Sequence, residues 1–206
     1  MRRLGLILVV TVTLVAKPAR ALEREADFRH FSDYAWFVLG ALSGFVAHEL
    51  GHVVTDLAYG KSISFQPTHL GPIPFFAIEP CCNLTHEQEY VVASMGFNVQ
   101  SLSSELILWL QPHLRSHRRA YLKGILVLDI GLSLGYGITA FAGIGPPQSD
   151  VNTMARGLQI PSWPIGLWLV VPAMVDVYRY LVPGSRWAPW LSLQAKMMTV
   201  GASLTF

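Results

Sequence analysis

The sequence predicts an all-α membrane protein with about four transmembrane helices and a small strand or re-entrant segment after the first helix. Of its 206 residues, 52% are hydrophobic and only 14% are charged, whereas soluble domains carry about 25% charged residues. The apolar residues are also gathered in long stretches, each close to the ~20 residues with which a helix crosses ~30 Å of hydrocarbon. The length is that of a single domain.

The N-terminal residues have the pattern of a bacterial export signal. A basic start and an apolar stretch, residues 4–16, precede the small residues Ala19 and Ala21 of a cleavage site. We therefore predict a signal peptide at residues 1–21, with a short signal anchor as the alternative, because the stretch is short for a membrane span. Residues 22–206 would form one integral-membrane domain with 11 basic and 13 acidic residues. This balance gives no indication of a nucleic-acid partner.

Four apolar stretches follow the signal, and each predicts a transmembrane helix. They cover residues 34–59, 90–110, 122–142 and 165–182. With the export signal, they predict a protein surrounded by lipid in a bacterial inner membrane.

The connections between these stretches differ in character. Residues 61–83 are apolar but rich in proline, which excludes a helix, and Ile63 to Phe65 predict a short strand. The adjacent Cys81 and Cys82 provide no disulfide framework and are interpreted as buried apolar residues. Residues 143–157 predict a Gly/Pro loop. An alternating stretch near the C-terminus favours a terminal strand.

The residues that indicate chemistry lie in the first apolar stretch, as His48-Glu49-Leu50-Gly51-His52. Two histidines four apart share one face of a helix, so both rings can reach a single Zn²⁺. Glu49 follows the first histidine, where its carboxylate can take a proton from a metal-bound water. Ionisable groups in a spanning helix are costly and are functional by default. The pattern therefore predicts a zinc site with Glu49 as the catalytic residue.

The pentapeptide and its surroundings resemble the site-2 protease family of intramembrane zinc metalloproteases. The resemblance continues with Gly60, with the strand that begins at Ile63, and with Ala93-Ser94-Met95-Gly96-Phe97-Asn98, which is similar to the segment that opens the family's next helix. It covers roughly residues 35–160. The resemblance implies cleavage of a membrane-embedded or membrane-adjacent peptide, which docks as an extra strand against residues 62–66.

A catalytic zinc takes a third protein ligand and leaves its fourth position to water. Asp150 falls where the resemblance places the family's aspartate, although an aspartate there could instead cap the helix that follows. Asp129, within the third apolar stretch, is the alternative third ligand. Glu79, in the Pro-rich segment, is a weaker candidate. Asp56 lies one turn beyond His52 and is better placed to hold that ring than to bind zinc.

Two amides of the second stretch complete the predicted site. By resemblance, Asn98 or Gln100 holds the substrate carbonyl as negative charge develops on its oxygen. A hydrogen bond between helices is the alternative role for either side chain. Further polar residues, Glu105, Asp176 and Arg179, are interpreted as structural, the last two as a local ion pair.

The function predicted from these residues is that of a zinc-dependent intramembrane endopeptidase. The alternative is a non-catalytic membrane protein with a structural metal site or a helix-binding role. This alternative stays open because the sequence does not contain the family's Leu-Asp-Gly motif as such. A small cation transporter is a third interpretation. A transporter would have ionisable residues that face each other across helices, and its function would not depend on the histidine pair as a unit.

Overall fold

The computed structural model of the protein describes residues 28–70, 73–80 and 84–205. The predicted signal at residues 1–21 and the pair Cys81 and Cys82 lie outside these ranges. The described chain is mostly helical, and one antiparallel hairpin interrupts the helices. Its elements are, in order, α1 (Phe31–Ala58), β1 (Ile63–Leu70), β2 (Ile73–Pro80), α2 (His86–Leu110), a 3₁₀ turn (Leu114–Ser116), α3 (Ala120–Ala142), α4 (Asp150–Leu158), α5 (Ser162–Leu181) and α6 (Ala188–Thr205).

Helix α1 has its apolar side chains outside and its polar ones inside. Large apolar residues three or four apart are exposed along its outer face: Leu39, Leu42, Val46, Leu50, Val54 and Leu57. The buried face carries glycines together with His48, His52, Thr55 and Asp56. Water would disfavour a continuous apolar stripe of this kind, whereas lipid would cover it.

Two described helices, α1 and α3, are long and apolar enough to cross a membrane. The four predicted stretches are all helical, with ends within four residues of the expected positions. The expected number of four transmembrane helices nevertheless stays a prediction, since α2 and α5 include several ionisable residues that face the interior of the bundle, such as Glu105 and Arg179.

The helices form a bundle in which α1 packs against α2 and α3, and α3 packs against α5. Glycines allow the closest of these contacts. A Cβ on Gly124 of α3 would overlap the carbonyl oxygen of Phe37 in α1. Helix α4 lies on α2, where the buried residues Tyr90, Phe97 and Met154 belong to the larger of two apolar clusters. This cluster fixes the beginning of α4 near α1.

The Pro-rich segment forms the predicted extended structure. Strand β1 pairs with β2 in antiparallel register from Ile63 opposite Pro80 to Leu70 opposite Ile73. The strand predicted at Ile63 to Phe65 is confirmed and continues for a further five residues.

Two expectations about the second half of the chain were wrong. The predicted loop of residues 143–157 includes α4, which begins at Asp150 after Ser149 as its N-cap residue. The predicted terminal strand is helix α6. Helical spacing places Ser192 and Lys196, four residues apart, on one face of α6, and both side chains are buried against α2 and α5. These polar contacts would be lost in a strand, because residues four apart would then lie too far from each other.

Candidate metal centre

The two histidines of the pentapeptide lie together on the buried face of α1. Their Nε2 atoms are 3.1 Å apart, and the exposed fractions of His48 and His52 are only 2% and 7%. Two imidazoles at this distance present two nitrogen donors to one point, which is the arrangement that a shared metal ion requires.

Asp150, the first residue of α4, brings a carboxylate to the same point. Its Oδ2 lies 3.4 Å from Nε2 of His48, and its Oδ1 lies 3.7 Å from Nε2 of His52. Ligands at ~2.0 Å from a tetrahedral zinc are separated from one another by about 3.3 Å. The distance between the two Nε2 atoms and the distance from His48 to Oδ2 of Asp150 lie close to this value, whereas the contact with His52 is made by the other carboxylate oxygen. The three side chains are therefore placed to share one metal ion.

One group of potential metal ligands is found among the described residues, and it consists of His48, His52 and Asp150. Their ligand atoms all lie within 4.8 Å of one another. Asp129 is buried elsewhere on α3, close to Ser103 and to Gly44 of α1. Glu79 lies in β2, opposite Ser64, and its side chain is outside the described part of the structure. Of the candidates for a third ligand, the structure therefore brings Asp150 to the histidine pair.

Two glycines allow α2 to approach the histidines. A Cβ on Gly96 would lie 2.6 Å from Nε2 of His52 and 2.7 Å from Nε2 of His48. A Cβ on Gly51 would lie 2.9 Å from the carbonyl oxygen of Met95. Any side chain at position 96 would thus occupy the space between the rings, a requirement that the sequence did not reveal.

The ring of His52 is held by a backbone carbonyl. Its Nδ1 lies 2.7 Å from the carbonyl oxygen of Val92, so Nδ1 donates a proton and Nε2 keeps a free lone pair toward the metal position. The prediction that Asp56 holds this ring is therefore wrong. Asp56 is buried, and its carboxylate has no hydrogen-bond partner among the described residues. The carbonyl of Val92 fulfils the orienting role because α2 lies directly against the histidine.

Asp150 receives a hydrogen bond from the hydroxyl of Tyr136 in α3. Burial raises the pKa of Asp150. This effect is smaller than the opposite effect of the neighbouring rings of His52 and His48 and of the hydrogen bonds from His48 and Tyr136, which lower the pKa. The net pKa of the carboxyl therefore lies below its ordinary value. The Tyr136 ring is itself fixed by an edge contact with Phe97, at 5.2 Å between ring centroids. A tyrosine between two glycines of an apolar helix was the signal that could have revealed this residue.

Glu49 lies beside the triad and is only half-buried. It is near enough to interact electrostatically with His48, His52 and Asp150. The side chain of Asp150 is also partly exposed, at 21%, whereas both histidines are enclosed. The two carboxyl side chains at the site are therefore more accessible than the two imidazole rings.

The amides predicted for the site are both buried on α2. Gln100 lies next to the ring of His48, on the side away from the metal position. Asn98 is buried two residues earlier. Their predicted role in holding a substrate carbonyl stays a prediction.

A second polar cluster occupies the other half of the bundle. The pair of Asp176 and Arg179 is present, with 3.5 Å between Oδ1 and Nη1, but it is buried and belongs to a larger network. Arg179 also contacts Glu105 at 2.6 Å, and Lys196 contacts Asp176 at 2.6 Å. The sequence did not reveal Lys196, because its partners lie on two other helices, α2 and α5.

No protein-family model, curated protein or solved structure significantly matches this chain. The interpretation of the site therefore depends on its own geometry.

Proposed function

We propose that this protein is a zinc-dependent endopeptidase that cleaves a peptide segment within or beside a membrane. One observation carries the proposal: two histidine nitrogens and a carboxylate oxygen converge within 4.8 Å of one another, a donor set that suits zinc, with Glu49 beside them. The pentapeptide that supplies three of these four residues lies on a helix that could span a membrane.

The donor set is suited to a catalytic zinc ion. His48 and His52 would supply neutral imidazoles and Asp150 a carboxylate, which leaves a fourth position for water. A zinc ion bound there supplies Lewis acidity, which polarises a peptide carbonyl and makes water acidic near neutral pH. The fixed ring of His52 and the low pKa of Asp150 keep both donors in their metal-binding forms.

Glu49 is the residue that would move protons. Its half-buried carboxylate lies near the cluster, where it could accept a proton from the attacking water and donate it to the leaving amine. Buried Asp129 and Asp56 lie outside the triad and do not compete for this role.

The substrate we propose is a membrane-embedded or membrane-anchored segment in a bacterial inner membrane. A peptide bond there must be unwound before water can attack it, since a helix buries its backbone groups. The hairpin of β1 and β2 offers open strand edges directly after the helix that carries the two histidines. By the resemblance described above, the unwound segment adds to this hairpin as a further strand.

A structural metal site is the alternative. Structural zinc is bound by four protein ligands, whereas the cluster of described residues offers three. A structural site also has no use for a carboxylate beside the open position. Both features favour the peptidase.

The test is zinc quantitation of the detergent-purified protein, together with cleavage of an unstructured fluorogenic polypeptide. We expect one zinc ion per chain, its loss in His48→Ala and Asp150→Ala, and its retention in Asp129→Asn. In Glu49→Gln we expect zinc to remain and cleavage to disappear. Zinc retained in Asp150→Ala would refute the third ligand, and cleavage by Glu49→Gln would refute the mechanism. Bound zinc without any cleavage by the wild type would favour the structural alternative.

A further inference from the structure

A small cavity lies inside the bundle, between α2, α3, α5 and α6. Its volume of about 10 Å³ holds roughly one water-sized particle. Side chains with oxygen atoms dominate its polar lining: Gln100, Ser101, Ser104, Asp129, Ser133 and Asp176. It is separate from the metal centre, although Gln100 lies between the two.

Two of the lining side chains contain buried polar atoms without a hydrogen-bond partner, although the carboxyl group of Asp129 also interacts with Ser103. The exposed fraction of Asp129 is 3%, and its Oδ2 has no hydrogen-bond partner within the described ranges. Both polar atoms of the Gln100 amide, in a side chain that is 2% exposed, also lack a hydrogen bond of standard geometry, although the amide is close enough to interact with the ring of His48. Native proteins satisfy nearly all such atoms, so a polar pair of this kind on one cavity indicates a bound partner.

The charges around the cavity do not balance. Arg179 and Lys196 are in direct contact with Glu105 and Asp176, which accounts for two cations and two anions. Asp129 is a third carboxyl group, and no salt bridge joins it to a cation among the described residues. Burial of this additional charge in a bundle covered by lipid is costly unless one positive charge neutralises it.

Helix α5 contains a backbone carbonyl that lacks its helical hydrogen bond, in a residue that lines the cavity. Pro172 lies inside α5 and has no N–H to donate to the carbonyl of Trp168, four residues earlier. Both residues line the cavity. Carbonyls freed in interrupted helices bind Na⁺ in membrane transporters, in combination with side-chain oxygens.

We propose that this cavity binds one monovalent alkali cation of the size of Na⁺. The carboxylate of Asp129 supplies the charge. The amide oxygen of Gln100, the hydroxyls of Ser101 and Ser133, and the carbonyl of Trp168 supply further oxygen ligands. A divalent ion would leave excess positive charge next to Lys196, and K⁺ is large for a cavity that holds one water-sized particle.

The experiment measures sodium binding by the full-length, zinc-loaded protein in detergent. Radioactive sodium is titrated in choline chloride above neutral pH, and thermal unfolding is followed at constant ionic strength in sodium, potassium or choline. We expect saturable binding of one sodium ion per chain. We also expect the Tm to rise by roughly 5 °C or more at a sodium concentration about 100-fold above the Kd, with a smaller rise in potassium.

The Asp129→Asn variant keeps the shape of the side chain but removes its charge, so sodium binding and the Tm shift should both disappear. The matched control is Asp33→Asn, because Asp33 pairs with Arg118 at the start of α1 and does not line the cavity. Should Asp129→Asn fail to fold, Ser133→Ala replaces it and should raise the Kd for sodium several-fold.

Absence of saturable sodium binding by the wild type would overturn the proposal and leave a protonated Asp129 with a water molecule as the occupant. Equal Tm shifts in sodium and choline, or undiminished binding by Asp129→Asn, would overturn it as well. Since the measurement does not involve cleavage, its result is independent of the proposed peptidase activity.

Discussion

Gly96 faces His48 at a distance that leaves no room for a side chain. A Cβ at this position would lie 2.7 Å from Nε2 of His48 and 2.6 Å from Nε2 of His52. The position that a shared metal ion would occupy is therefore bordered by backbone on the side of α2. The geometry of the centre depends on a residue that contributes no ligand.

The first prediction follows from this contact. Gly96→Ala should lower the affinity for zinc by at least about 10-fold, because its methyl group must push the two rings apart. Competition with a chromophoric chelator measures the affinity. Gly131→Ala is the matched control, since Gly131 is also helical and a Cβ there meets nothing within 4 Å. Equal zinc affinities of the two variants would show that α2 lies farther from the histidines.

The second prediction concerns the hydroxyl of Tyr136. Tyr136→Phe removes the hydrogen bond that orients the carboxylate of Asp150, so the affinity for zinc should fall by about 10-fold. The overall fold should be retained, because the ring still packs against Phe97. Chelator competition and circular dichroism measure the two effects.

Tyr178→Phe serves as the control for this variant. Its ring packs against Trp187 at 5.0 Å, away from the metal centre, so its loss of a hydroxyl should leave the zinc affinity unchanged. A Tyr136→Phe protein with wild-type affinity would show that the hydroxyl does not position Asp150.

The third prediction concerns Lys196 in the buried network. Lys196→Met removes the cation that lies 2.6 Å from Asp176 and 3.2 Å from Glu105, so uncompensated carboxylates remain in the interior. The free energy of unfolding should fall by about 3–5 kcal/mol. Denaturation in mixed micelles measures this change.

Two further variants separate charge from packing in this experiment. Arg186→Ala removes an exposed base near the start of α6 and should change the stability by less than about 0.5 kcal/mol. The double variant Lys196→Met/Asp176→Asn should recover part of the loss, because it also removes one of the uncompensated charges. A double variant as unstable as the sum of its single changes would indicate that the two side chains do not interact.

The fourth prediction concerns the contact between α1 and α3. Gly124→Ala places a methyl group on the carbonyl oxygen of Phe37, so the helices must separate. We expect a loss of stability of about 1–3 kcal/mol, in contrast to Gly135→Ala, where a Cβ meets no atom within 4 Å. Thermal unfolding of both variants checks this, and a Gly124→Ala protein as stable as Gly135→Ala would contradict the close packing.

Local patterns in the sequence predicted the positions of the helices well. The length of the apolar stretches located four of the six described helices, and proline excluded a helix in the hairpin. The prediction of a terminal strand was wrong because α6 is stabilised by Lys196 and Ser192, whose partners are distant along the chain. A pattern confined to one segment contains no information about such partners.

The candidate site likewise has some features that local sequence predicts and others that depend on distant residues. The sequence by itself determined that His48 and His52 share a face and that Glu49 lies beside them, because a four-residue spacing on a helix fixes these relations locally. Only the tertiary structure decided between Asp150 and Asp129, 102 and 81 residues beyond His48. The packing of α4 on α2, and of α2 against α1 at Gly96, brings Asp150 to the histidine pair. Because of the same packing, the hydrogen-bond partner of His52 is the carbonyl of Val92 and not the predicted Asp56.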